Sequence, residues 1–215
     1  MAERKSQNQQ SWWYRFIKRF FDIVLSILAL IVFSPIFLFV FIADQFGSNK
    51  GPLFFQQVRM GQYHKPFKIL KFRSMVVGAD EILHNDAKLY KEYIDNNYKL
   101  KPEQDPRITG LGRWLRKTSI DEIPQFINIL RGDMTIIGPR PVVPEELSQY
   151  DGHVDKLLSV RPGAMGLWQA SGRSNIGYPE RADLELSYVD RASLLFDVQI
   201  LFKNVISIFK STGAY

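Results

Sequence analysis

From Ile23 to Ala43 the chain carries no charged residue, and this apolar run is interrupted near its middle by Ser34-Pro35. A run of about 21 apolar residues is long enough to cross a bilayer as one helix. Proline, however, removes a helical hydrogen bond and collides with the preceding turn. The halves Ile23 to Phe33 and Ile36 to Ala43 would each reach about 12 to 16 Å at the helical rise, roughly half of a hydrocarbon core. A re-entrant helix-break-helix fits that geometry, with the Ser34 hydroxyl available to a backbone group freed at the break. Cations flank both ends, Arg15, Lys18 and Arg19 before the run and Lys50, Arg59, Lys65, Lys68 and Lys71 after it. The positive-inside tendency therefore draws both ends to the cytoplasmic face, which a single span cannot satisfy. A kinked helix that spans is the competing reading. The run is too long for a signal peptide and lacks a small-residue cleavage site.

Trp12, Trp13, Tyr14 and Phe16, interleaved with Arg15, Lys18 and Arg19, have the composition of an interfacial belt at headgroup depth. Near the other terminus, Ser193 to Ser211 places Asp197, Gln199, Lys203, Asn204, Ser207 and Lys210 along a narrow helical stripe among Leu, Ile, Val and Phe. A helix with so broad an apolar face lies in a membrane interface or packs on a core. The expected segments are a polar tail at 1–11, interfacial and re-entrant helix at 12–46, a catalytic domain at 47–192 and an amphipathic interfacial helix with its tail at 193–215. With 215 residues, 46% of them hydrophobic, the chain can build one sizeable core. Its net charge of +6 favours anionic partners: nucleic acid, phosphorylated small molecules or acidic lipid. The absence of cysteine excludes disulfides, thiolate nucleophiles and Cys-ligated zinc.

Pro66 to Met75 is strand-like, and period two puts Lys71 and Arg73 on one face with Phe72 opposite. An edge strand guarded by positive charge is the structural alternative. Gly78 to about Lys101 is polar and helical in character. Asp121 and Glu122 then stand side by side in Lys117-Thr118-Ser119-Ile120-Asp121-Glu122-Ile123-Pro124-Gln125. One carboxylate can attack or deprotonate while its neighbour helps hold a hard cation such as Mg²⁺. Ser119-x-x-Glu122 also has the spacing of a capping box. Pro124 argues for a turn that ends and a helix that restarts there, leaving the pair just before a helix start and stopping at Gly132. A short buried strand follows, and the prolines of Gly138-Pro139-Arg140-Pro141 hold Arg140 extended. Arg161-Pro162-Gly163 and Gly166 to Arg173 repeat this placement of arginine among glycine and proline.

Taken in order, Ser34-Pro35, Lys71-Phe72-Arg73-Ser74-Met75, Arg116 to Gln125, Gly132-Asp133-Met134, Gly138-Pro139-Arg140-Pro141, Arg161-Pro162-Gly163 and Leu167-Trp168-Gln169-Ala170-Ser171-Gly172-Arg173 closely resemble the bacterial sugar transferases. These are the monotopic phosphoglycosyl transferases, and the likeness covers nearly everything from about Phe16 to Tyr215. Larger members carry additional transmembrane helices before this part, so the chain looks like the minimal catalytic unit. The resemblance implies an α/β (α+β) monotopic fold, a small sheet with surrounding helices, at the cytoplasmic face of a bacterial inner membrane. It implies transfer of a sugar-1-phosphate from a UDP-sugar to undecaprenyl phosphate, with release of UMP. Asp121 matches the nucleophile that forms a sugar-phosphoryl-aspartate, and Glu122 the partner that organises Mg²⁺. Arg116, Arg140 and Arg173 match positions near the site. Lys71, Arg73, Arg161 and Gln169 match positions that serve substrate, lipid headgroups or the fold.

Two other classes compete: a lipid-acceptor glycosyl transferase releasing UDP, and a non-catalytic membrane adaptor binding anionic lipid. No nucleic-acid-binding motif is present. His64, His84 and His153 stand at no metal-ligand spacing, and Asp183, Glu185 and Asp197 are either contacts of the site or solvated and capping residues. Trp168 with Ser171-Gly172-Arg173 resembles members that transfer plain hexose phosphates, glucose or galactose. The sequence leaves a homo-oligomer open.

Overall fold

The computed structural model describes residues 11–95, 100, 104–172 and 175–209. Arg173, Lys210 and residues 1–10 of the polar tail lie outside them. The protein is a mixed structure of helices and small sheets, 61% helical, in line with the expected class. It forms two compact units, one made of residues up to Ile31, Gln56–Leu70 and the chain from Gln125, the other of Val32–Phe55 and Lys71–Pro124.

In the first unit, helix α1 (Trp12–Val32) begins well before the apolar run and carries Tyr14, Lys18, Asp22 and Ser26 at intervals of four. That spacing stacks them on one face. Tyr14, Asp22 and Ser26 are buried, while Trp12, Trp13, Phe16, Phe20 and Phe21 are exposed. The aromatic belt is therefore split, since Tyr14 points inward and its hydroxyl donates to Asp197 at 2.9 Å. Lys18 donates to the Ile137 carbonyl at 2.7 Å and pairs with Asp197. The Asp22 carboxylate accepts from the Thr135 hydroxyl at 2.8 Å and the Ile136 amide at 2.9 Å. Arg19 donates to the Ile129 and Leu130 carbonyls, which close helix α6 (Gln125–Arg131), where orphan acceptors suit a cation.

Asp22 thereby reads the backbone of strand β3 (Thr135–Ile137), which pairs in parallel with β4 (Gly163–Met165), Thr135 opposite Gly163 and Ile137 opposite Met165. A Cβ on Gly163 would come within 2.1 Å of the Gly138 amide nitrogen, so only glycine permits the approach. The core of this unit joins Ile69, Ile129, Met134, Ile136, Ile137, Leu167, Tyr188 and Ile200. Asn128, fully buried, receives the Leu70 amide and donates to the Lys68 carbonyl, standing in for a strand partner along β2 (Pro66–Phe72). A link as short as Gly61 to Lys65 joins β1 (Phe54–Met60) to β2 as an antiparallel hairpin.

Helices α7 (Val154–Leu157), α8 (Leu167–Ser171), α9 (Glu180–Arg191) and α10 (Leu194–Phe209) complete the unit. Helix α10 turns Asp197 and Asn204 inward together with Ile200, and leaves several large apolar side chains outward. Asp197 and Asn204 are 7% and 1% exposed, whereas Leu195 and Phe202 are 71% and 63% exposed. Asn204 donates to the Gly166 carbonyl, and Tyr188 of α9 donates to Asp197. Asp197 is thus neither solvated nor a cap.

In the second unit, α2 (Ser34–Ala43) starts directly after Phe33, with Pro35 in its first turn, where the missing N–H costs nothing. Helices α1 and α2 are bent by 52° at this break. Among the described residues no single helix is long and apolar enough to cross a membrane, while this bent pair passes the same test jointly. Phe37 of α2 packs edge-on to Phe72 at 4.8 Å. The polar stretch after Gly78 forms two helices, α3 (Ala79–Asn85) and α4 (Ala87–Asp95), because the Asp86 carboxylate accepts the Lys88 and Leu89 amides and caps the second. Helix α5 (Gly110–Lys117) is capped by Thr109 and lies so close to Ser74 that a Cβ on Gly112 would sit 1.9 Å from its carbonyl oxygen.

Asp197→Ala should destabilise the protein by about 3–5 kcal/mol, because it takes the carboxylate partner from the part-buried ammonium of Lys18 and from two tyrosine hydroxyls. Gln199→Ala, on the outward side of the same helix, should change stability by less than about 0.5 kcal/mol. Thermal unfolding of both variants in one detergent distinguishes them.

Candidate active site

The carboxylate pair is built by an abrupt ending. Helix α5 closes with the Thr118 amide on the Trp114 carbonyl, and Ser119 then adopts a left-handed φ of 56°. Ile120–Glu122 form a single 3-10 turn before Pro124 and α6, as the proline predicts. The capping box does not form, because the Ser119 side chain makes no capping bond.

The turn presents both carboxylates beside two cations. Lys71, on the penultimate residue of β2, places its Nζ 2.8 Å from Glu122 Oε1. Arg116, half-buried in the last turn of α5, donates through Nε to the Ser74 hydroxyl at 2.8 Å. Withdrawal from water pushes the Asp121 carboxyl up to about 6, with Glu122 acting in the same direction and Lys71 and Arg116 opposing. Burial likewise lowers the Arg116 guanidinium from its ordinary value, against the pull of Asp121 and Asp105. A carboxylate held this way is poorly solvated and ionised near neutral pH, the state a nucleophile needs.

The surrounding bonds fix Arg116. Asp105 and Arg107 pair through two bonds of 2.8 Å, the Val76 amide donates to the Arg107 carbonyl, and the Thr109 amide donates to the Ser74 carbonyl. Arg73 is buried and engaged in holding its own loop. It donates to Asp44 at 3.0 Å, to the Pro52 carbonyl at 2.9 Å, to the Met75 carbonyl at 2.8 Å and to the Asn49 carbonyl. Of the roles open to Arg73, these bonds favour the fold. The donor set at the turn suits Mg²⁺, which takes one or two carboxylates and completes its shell with water and substrate phosphates. Among the described residues no group of three or more His, Asp or Glu side chains forms a self-sufficient metal cage.

Arg140, Arg161 and Gln169 belong to the first unit. The Arg140 amide donates to Glu185 at 3.0 Å, and its guanidinium stands 5.5 Å from the Trp168 ring. Arg181 stacks on Trp168 at 4.6 Å and Tyr178 at 4.8 Å and pairs with Glu146 at 3.1 Å. Glu185 is completely buried, which pushes its carboxyl up to about 7 against the opposing charges of Arg181 and Arg140. It is therefore a tie for the Arg140 backbone and not a solvated acid. Arg161 is half-buried, and Gln169 Oε1 is buried without a protein partner. Ser74 and Arg181 have roles that sequence reading missed. Ser74 follows the two cations of β2 directly and could have been suspected, but nothing local marks Arg181.

The profile of the family described as Bacterial sugar transferase matches residues 13–211. The chain belongs to the bacterial sugar transferase family. It is 43% identical over 205 residues to the undecaprenyl-phosphate galactose phosphotransferase of Salmonella typhimurium, covering 94% of this chain and 42% of that protein. It is 43% identical over 202 residues to the exopolysaccharide production protein ExoY of Sinorhizobium fredii, covering 92% and 88%. Against the UDP-glucose:undecaprenyl-phosphate glucose-1-phosphate transferase of Escherichia coli, identity is 37%, covering 94% of this chain and 42% of the relative. The chain thus spans less than half the length of some relatives and most of another.

The raised Asp121 carboxyl makes a prediction about stability. Between its ordinary value of 3.8 and about 6 the folded state binds more protons than the unfolded, so this group's contribution to stability falls as pH rises through that window. Asp121→Asn should raise the melting temperature above about pH 6 and lose that advantage below about pH 4, read by thermal unfolding across pH.

Proposed function

We propose that the protein transfers a hexose-1-phosphate from a UDP-hexose to undecaprenyl phosphate, releasing UMP and forming an undecaprenyl-diphosphate sugar. The observation that carries this reading is the Asp121-Glu122 turn, a poorly solvated carboxylate beside a second one, with Lys71 and Arg116 as close cations. A carboxylate oxygen of Asp121 attacks the sugar-linked phosphorus. The bond from that phosphorus to the bridging oxygen breaks, and its electron pair leaves with UMP. An oxygen of undecaprenyl phosphate then displaces Asp121 from the same phosphorus, regenerating the carboxylate. Both steps pass through charge on the equatorial phosphoryl oxygens, which positioned cations neutralise. Mg²⁺, held by Asp121 and Glu122, would supply further neutralisation there. Arg116 faces that charge from α5. The family resemblance assigns Arg140 and Arg173 to the neighbourhood of substrate, and Arg161 and Gln169 to substrate, lipid headgroups or the fold. The relatives' names, galactose and glucose transferases, support a plain hexose.

The same reading assigns the membrane. An α10 with Asp197 and Asn204 inside and Leu195 and Phe202 outside, and an α1 with the same inversion, suit lipid and not water. With the 52° break at Phe33, this supports a re-entrant anchor at the cytoplasmic face of the inner membrane, which keeps the site at the depth of the lipid phosphate.

Purified protein incubated with Mg²⁺, undecaprenyl phosphate and a panel of UDP-sugars should release UMP with a hexose donor. Release of UDP would instead identify a glycosyl transferase, and no turnover with any donor would favour an adaptor. Without acceptor, the peptide containing Asp121 should gain a hexose-phosphate mass. Asp121→Asn should abolish the adduct and lower turnover about a thousand-fold or more. Cysteines placed singly at Ser11 and Ser48, both exposed, should be labelled from the same side of sealed vesicles; opposite sides would refute the re-entrant anchor.

A further inference from the structure

We propose that Lys71 holds the cation's place on Glu122 while the site is empty, and that metal binding drives its ammonium off the carboxylate to meet the donor's diphosphate. The proposal rests on the reading of Asp121 and Glu122 as the phosphosugar-transfer pair. Lys71 Nζ lies 2.8 Å from Glu122 Oε1, with the two side chains 21% and 38% exposed, so a hydrated ion can reach the same carboxylate. An ammonium and a divalent cation on one carboxylate, within about 4 Å of each other, repel strongly, and the weaker ligand must move.

The neighbouring cations are not equally free to do so. Arg73 is held by Asp44 and by backbone carbonyls, and the Arg116 Nε is tied to Ser74. Lysine combines a compact charge with a flexible four-carbon stem, the properties an exchanging cation requires. Local charge gives the exchange its direction. Asp121 and Glu122 balance Lys71 and Arg116 at the turn, and Asp105, which also acts on Arg116, is itself matched by Arg107. A divalent ion alone leaves the site in positive excess, and the diphosphate of a nucleotide sugar restores neutrality. Metal alone should therefore bind weakly, and metal with donor tightly. Lys71 opposes the first event and assists the second.

These opposite signs are measurable without turnover. Full-length protein in detergent is titrated with Mn²⁺ by electron paramagnetic resonance, then with UDP at saturating Mn²⁺. Lys71→Met should tighten Mn²⁺ about three-fold or more and weaken UDP about ten-fold. Lys91→Met, on the exposed side of α4, should change neither by more than about two-fold. In the unmutated protein, reductive methylation of Lys71 followed by mass spectrometry should increase on adding Mg²⁺ and fall again on adding UDP.

Lys71 methylation that ignores Mg²⁺ overturns the proposal, as does Lys71→Met leaving Mn²⁺ affinity unchanged or weaker. If Glu122→Gln abolishes Mn²⁺ binding while Lys71→Met has no effect, the place-holder fails and the metal-binding pair stands. If wild-type protein binds no Mn²⁺ with or without UDP, both fail together. The methylation arm needs no variant and holds even if Lys71→Met does not fold.

Discussion

The polar stripe on α1 is the constraint from which much of the first unit follows. Tyr14, Lys18 and Asp22 cannot be left unpaired away from water, so each finds a partner inside the protein, at Asp197, at the Ile137 carbonyl and at Thr135 with the Ile136 amide. Satisfying them fixes the rotation of the helix. With those residues inward, Trp12, Trp13, Phe16, Phe20 and Phe21 have only the outside left to face. Asp197 imposes the same condition on α10, and its partners come from α1 and α9. Polar bonding therefore determines which surface is apolar, the reverse of the ordering in a water-soluble helix pair.

The carboxylate turn depends on a different device, close backbone approach. Gly112 lets α5 lie on Ser74, and the Ser74 hydroxyl then holds the Nε of Arg116. The Asp105-Arg107 pair secures the strand segment from behind. A left-handed residue at Ser119 redirects the chain so that Asp121 and Glu122 emerge on one short turn. None of these groups needs to touch a substrate to matter. They decide where Arg116 and the carboxylates stand, and the proposed transfer at phosphorus would be sensitive to that placement.

What was legible in the sequence was written in proline, glycine and alternation. Ser34-Pro35 marked the break, Pro124 the restart before Gln125 and Gly132 the end of α6, because these residues act through their own backbone. Asp121 and Glu122 stood out as adjacent carboxylates, and one short turn sets them beside Lys71 and Arg116. Patterns that depend on what lies opposite in space misled. Period two put Arg73 beside Lys71, but β2 ends at Phe72 and Arg73 turns into the Asp44 loop. The Ser119 spacing suits a capping box, yet the end of α5 leaves Ser119 left-handed. Glu185 and Asp197 carry no local sign of burial, since Glu185 meets Arg140 45 residues away and Asp197 meets Tyr14 183 residues away in sequence.

The two inversions bear on how stability is distributed in such a chain. A surface that exposes Leu195, Phe202, Trp12 and Phe20 gains little from hydrophobic burial unless something apolar covers it. Apart from Ile200, which joins the core, cohesion of α1 and α10 with the rest of their unit then leans on a few buried charged and polar contacts, each costly to break singly. Covering the apolar surface and keeping these contacts dry are coupled, because water reaching Lys18 and Asp197 would weaken the bonds that orient the helices. Under the proposed membrane anchor, lipid would supply the apolar partner without which the inward polar stripe is the wrong side of the helix to bury.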